Sequence, residues 1–192
     1  MYAALATRPG IWYAVAALSR YNLRPCTSHM TAAKRVLQYL KSTADFQLHF
    51  TSNGISIGIG IGIGIGIDIR NSLVGYLDSD WANDSADRQS QGGDVFLTSN
   101  GAISWQSRKK SLIAMLTLEA EFIACWEASW EAKWLLQLQK DIHSKDLSPL
   151  PINCHNHDAL TLITTGIVTA QTKHIKVYYH NSRDLYRRRI VN

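Results

Sequence analysis

From Thr117 to Ile142 the chain reads TLEAEFIACWEASWEAKWLLQLQKDI without a glycine or a proline, and such a run predicts one long helix. Three strand-like runs precede it: SLVGYLDSDWA, GDVFLTS and AISWQSR. Asn100-Gly101 lies between the last two, and Asn-Gly flanked by β-prone residues predicts a tight antiparallel hairpin. After the helix, PLPINCHN reads as a short strand, DALTLIT as a short helix, and TKHIKVYYHNSRDLYRRR as a last helix with a basic end. The order of strands, helix, strand, helix, helix places the chain in the α/β class.

Upstream, Ile11, Val15 and Leu18 recur at helical spacing and Pro25 closes the run, so residues 10 to 23 are expected to form an amphipathic helix. A second helix follows in SHMTAAKRVLQYLKST, with Thr27 or Ser28 as its cap and an apolar stripe of Ala33, Val36, Leu37 and Leu40. Residues 9 to 43 thus predict a helical pair, and FQLHF after it alternates as a strand would. From Ile55 to Ile69 isoleucine fills every odd position, with glycine at 58, 60, 62, 64 and 66. Extended, those fifteen residues would span roughly 50 Å, far longer than an ordinary strand. The expectation is a strand at one end, a loose remainder, and association at high concentration. No Lys-Ser/Thr follows the tract, which argues against a phosphate-binding loop.

With 192 residues, 46% hydrophobic, the chain can bury one good core. Its net charge of +5 is concentrated in Lys34, Arg35 and Lys41 and in Arg183, Arg187, Arg188 and Arg189, a balance that suits a polyanionic partner. Cys26, Cys125 and Cys154 are far apart in sequence and form no CxxC pair, so neither a zinc cluster nor a disulfide framework is indicated. A reducing, intracellular compartment, cytoplasmic or nuclear, is the simpler expectation. Neither a signal peptide nor a membrane span is read from the sequence.

Several segments, taken in order, carry a family resemblance. RPGIWYAVAALSRY and HMTAAKRVLQYLKSTADF resemble the last helices of a copia-type retrotransposon reverse transcriptase. GYLDSDWANDSADRQSQGGDVFL, GAISWQSRKKS, LEAEFIA, NCHNHDAL and TKHIKVYYHNSR resemble the ribonuclease H domain that follows it in the Pol polyprotein. The resemblance implies three parts: C-terminal helices of a truncated reverse transcriptase over residues 1–50, an Ile-Gly linker or strand over 51–69, and a ribonuclease H-like domain over 70–192. It implies a mixed sheet with flanking helices, an RNA–DNA hybrid as partner, and Mg²⁺ as cofactor. The Tyr-x-Asp-Asp of a polymerase palm is absent and the rest of the polyprotein is missing, so no polymerisation is expected.

Hybrid cleavage in this family uses water held between two divalent ions, which want several carboxylates converging on one spot. The resemblance places the first two on Asp78 and Glu121, as catalytic and metal-binding residues. Asp78 shares a strand face with Tyr76 and Asp80, and a carboxylate in a β run needs a partner or solvent. Glu119 and Glu121 point about 200° apart on a helix, so only one can face the sheet, and the motif selects Glu121. The third and fourth family positions hold His155 and Lys176 in place of aspartates. Four negative charges thereby fall to a net of one negative, with Asp78 and Glu121 offset by Lys176 and His155 taken as neutral. Two ions of charge +2 about 4 Å apart repel by an amount of order ten kcal/mol even at a protein-like dielectric, and need that lost charge. Binding of Mg²⁺ is therefore doubtful.

Further departures accompany these. Leu116 stands where the family has a capping serine, leaving Thr117 as substitute. Trp126 and Trp130 stand at small or charged positions, with Trp130 about 180° from Glu121 and on the face opposite the site. Leu118, Phe122, Trp134 and Leu138 are expected in the core, and Asp158 is expected to cap its helix. His155 and His157 alternate, but sequence spacing offers no third ligand for a transition-metal site. Three functions follow: a hybrid ribonuclease, a nucleic-acid-binding module without catalysis, or a decayed element product. The replaced acids favour the inactive readings.

Overall fold

The computed structural model describes residues 1–50, 73–80, 90–109, 117–143, 148–165 and 176–191. The Ile-Gly tract and Leu116 lie outside them.

β1 (Val74–Asp80), β2 (Gln91–Thr98) and β3 (Gly101–Lys109) form an antiparallel meander, and β4 (Ile152–Cys154) joins β1 in parallel, giving the order β3-β2-β1-β4. The α/β mixed sheet with flanking helices that the resemblance implies is present. The β2–β3 hairpin is also present, but its loop is shifted by one residue. Ser99 and Asn100, both at positive φ (48° and 64°), make the turn, and Gly101 pairs with Thr98 as the first residue of β3. Packing explains the shift. A Cβ on Gly101 would collide with the Phe50 ring, so this glycine is spent on a close approach and not on the turn.

Helix α4 (Thr117–His143) lies across β1 and β2 and is about 40 Å long. Glu121, Cys125, Ala128, Ala132 and Leu135 are all buried along it. They fall within about 80° of one another around a helix turning 100° per residue, which makes them its sheet-facing stripe. The two alanines let the helix approach the strands closely. Phe122 is buried as expected, but Trp134 is 57% exposed and Leu138 is exposed too. Twelve residues separate Phe122 from Trp134, which turns Trp134 about 120° around the helix from Phe122 and about 140° from the centre of the sheet-facing stripe. Trp130, expected opposite the site, is indeed exposed.

Helices α5 (His157–Thr165) and α6 (Lys176–Arg187) pack on α4 and on each other. Leu150 N–H donates to the Ile190 carbonyl at 3.0 Å, so the C-terminal turn is stitched to the start of the β4 segment. Asp158 does not cap α5. Asn156 does, its Oδ1 accepting the Ala159 N–H at 2.8 Å, while Asp158 stands in the first turn.

At the N-terminus α1 (Tyr2–Ala6) and a 3-10 turn (Pro9–Ile11) lead into α2 (Trp12–Ser19), which is followed by α3 (Thr27–Ser42). The helix expected over 10 to 23 is thus shorter. Ser19 turns its hydroxyl back onto the Ala16 carbonyl at 2.8 Å, and the backbone continues in turns closed three residues apart. Cys26 caps α3 in place of Thr27 or Ser28: its backbone N–H donates to His29 Nδ1 at 3.2 Å, and the His29 ring stacks on Tyr21. In the expected stripe of α3, Leu37 is exposed. FQLHF forms no strand; Phe50 and the His49 carbonyl instead pack against Gly101.

These helices dock on β3. The Trp12 indole N–H donates to the Ser107 carbonyl at 3.1 Å, and the Trp105 indole N–H donates to the Ala4 carbonyl at 2.8 Å. Arg8 ties the end of α3 in place by donating to the Thr43 carbonyl at 2.7 Å.

Candidate functional site

The parallel register of β1 and β4 builds one end of the site. Leu77 is paired with Cys154, so the next residues along the two strands are Asp78 and His155. They stand at the carboxyl ends of adjacent parallel strands, where α/β sheets commonly place their ligands. Both side chains are exposed, and Asp78 Oδ1 accepts the Ser79 N–H at 2.9 Å. Its neighbour Ser79 is buried on the opposite face of β1.

Glu121 comes to the same region from α4. It is only 7% exposed and lies at the upper end of the sheet-facing stripe, one turn before Cys125. The helix surface therefore explains why Glu121 can face the sheet. Lys176, the fourth family position, is the first residue of α6, and its side chain lies outside the described residues, as do those of Glu119 and Asp80.

In the same neighbourhood are two thiols that sequence spacing did not bring together. Cys125 Sγ donates to Cys154 Sγ across 3.7 Å. That hydrogen bond pushes the Cys125 thiol well above its ordinary value, and burial and the nearby Glu121 charge act in the same direction. Cys154 is shifted down, chiefly by accepting the same bond, with the Asn156 N–H adding to it; burial and the charges of Glu121 and Asp78 oppose the shift. Both carboxylates thus act on one sulfur, which ties Asp78, Glu121 and the end of β4 into one neighbourhood. A signal was available in sequence: Cys125 is four residues after Glu121 on the same helix face, and Cys154 immediately precedes His155.

As a metal centre the donor set is poor. Among the described residues no three His, Cys, Asp or Glu side chains are grouped so as to hold a metal ion. Two carboxylates and an imidazole suit a pair of hard Mg²⁺ ions badly, since these take oxygen ligands and need compensating negative charge. His155 and His157 are both exposed, and among the described residues no third ligand is grouped with them. No described helix is long and apolar enough to cross a membrane.

No protein-family model matches the chain. It is 35% identical over 187 residues to the retrovirus-related Pol polyprotein from transposon TNT 1-94 of Nicotiana tabacum, a match covering 96% of this chain and 13% of the polyprotein. It is 39% identical over 135 residues to the secreted RxLR effector protein 161 of Plasmopara viticola, covering 70% of this chain and 84% of that protein. The solved structure of RNase H1 from Halobacterium salinarum aligns with a TM-score of 0.40 and 12% identity, over 59% of this chain and 78% of that one. The chain belongs to the family of copia-type, retrovirus-related Pol proteins, and it spans 13% of the length of the tobacco polyprotein that it matches.

Proposed function

We propose that the chain is a copia-type ribonuclease H-like domain, descended from an RNA–DNA hybrid endonuclease, that no longer cleaves hybrids. The observation that carries this reading is the juxtaposition of Asp78 with His155 at the ends of β1 and β4, together with lysine at the fourth family position, Lys176. Asp78 and Glu121 remain as possible ligands, but a donor set with one net negative charge does not offset the repulsion between two divalent ions. Weak, salt-sensitive binding of a hybrid or another nucleic acid is the property that persists. Arg187 and Arg189, exposed at the end of α6, supply phosphate contacts that need no metal.

The test is restoration. The unmodified chain should show no Mg²⁺-dependent cleavage of an RNA–DNA hybrid. The double change His155→Asp with Lys176→Asp should bring some back, and each single change far less. Cleavage by the unmodified chain that Asp78→Asn abolishes would establish an active ribonuclease instead.

A further inference from the structure

Two free thiols in contact at the edge of a core, one of them partly exposed, are a different matter from two inert buried cysteines. Cys125 is buried on α4 and Cys154 is only partly covered on β4, and neither is bonded to another cysteine. Their sulfurs are 3.7 Å apart. A disulfide needs about 2.05 Å, so closure requires an approach of about 1.7 Å, within what rotation about the two Cα–Cβ bonds delivers. Cys154 is also the better placed to react first. Its sulfur accepts from the Cys125 thiol and from the Asn156 N–H at 3.4 Å, and it is the more accessible of the pair.

We propose that Cys125 and Cys154 form a reversible disulfide, with hydrogen peroxide as the oxidant, which latches α4 to β4 beside the carboxylates. In the first step the Cys154 sulfur attacks one peroxide oxygen, the O–O bond breaks, and the departing hydroxide takes the thiol proton to leave as water. Cys154 is then a sulfenic acid. In the second step the Cys125 sulfur attacks that sulfur, the S–S bond forms, the S–O bond breaks, and the hydroxyl leaves with the Cys125 proton as a second water. Two thiols are oxidised by two electrons and one peroxide is reduced to two waters. A dithiol reductant reverses the bond. The latch joins the helix turn after Glu121 to the residue before His155, so it fixes the spacing of those two positions whether or not the site cleaves anything. The inference is independent of the hybrid-binding reading.

The experiment uses the full chain with Cys26→Ser, which removes the exposed third thiol and keeps a good helix-capping residue. The protein is treated with hydrogen peroxide, denatured in the presence of N-ethylmaleimide, weighed intact and digested. The expected result is loss of both maleimide adducts, a mass lower by two hydrogens than the reduced chain, a linked peptide pair containing Cys125 and Cys154, and return of both adducts after dithiothreitol. Adding Cys125→Ser should stop the reaction at a sulfenic acid on Cys154 that dimedone traps. Should that variant fail to fold, the linked peptides from the Cys26→Ser chain still decide. Two adducts after peroxide, oxygen added without a link, or linking equally fast in urea and in buffer would each overturn the proposal.

Discussion

Gly75 of β1 lies directly opposite Phe96 of β2, and a Cβ on Gly75 would come within 2.7 Å of the ring's Cε1. The ring is fully buried and fills the space a side chain at 75 would take. Gly75→Ala should therefore force the ring or the strand to move, at a cost of about 1–3 kcal/mol. Urea denaturation followed by tryptophan fluorescence checks it, and an unchanged midpoint would mean that Phe96 has room to yield.

The two faces of α4 separate a pair of aromatics that look alike in sequence. Phe122→Ala removes a fully buried side chain and should cost about 3–5 kcal/mol. Trp134→Ala removes one that is mostly solvated and should cost under about 1 kcal/mol. Thermal melts of the two variants should rank them in that order.

How much of this was legible follows from the same helix. Period and composition located α4, the hairpin, β4 and both C-terminal helices, because each depends on neighbours in sequence. Placement around a helix is less readily legible: Trp134 and Phe122 share an expected stripe but stand about 120° apart around the helix. The hairpin turn was displaced because Gly101 answers to Phe50, a residue distant in sequence. At the candidate site, Asp78 and Glu121 are the positions that the motif resemblance selects. The contact of Cys125 with Cys154 depends on the parallel pairing of β4 with β1, which spacing along the chain does not encode.

Asn156 closes the first turn of α5, so Asn156→Ala should cost about 1 kcal/mol and loosen the helix that follows the site. Asp158→Asn, which removes only a charge from the first turn, should cost a few tenths. Hydrogen exchange at the amides of Ala159 and Leu160 reads the difference, and equal effects from both changes would make the charge rather than the cap decisive.

If the chain holds nucleic acid through phosphate contacts, Arg187→Ala with Arg189→Ala should weaken binding of a labelled RNA–DNA hybrid. The two changes should lower the slope of log K against log salt by up to about two. Arg188→Ala should do less, because its guanidinium already pairs with Asp184 at 2.8 Å. Fluorescence anisotropy across a salt series measures both, and a slope untouched by the double change would move the contact surface elsewhere.

The indole bonds from Trp12 to Ser107 and from Trp105 to Ala4 reach across 95 and 101 residues. They bring the N-terminal helices against β3, which has no further strand beyond it among the described residues, the kind of border at which sheets recruit strands from other molecules. The first two dozen residues therefore act as a guard for the sheet. A truncation or protease cut that sheds them would leave intact secondary structure with an adhesive rim.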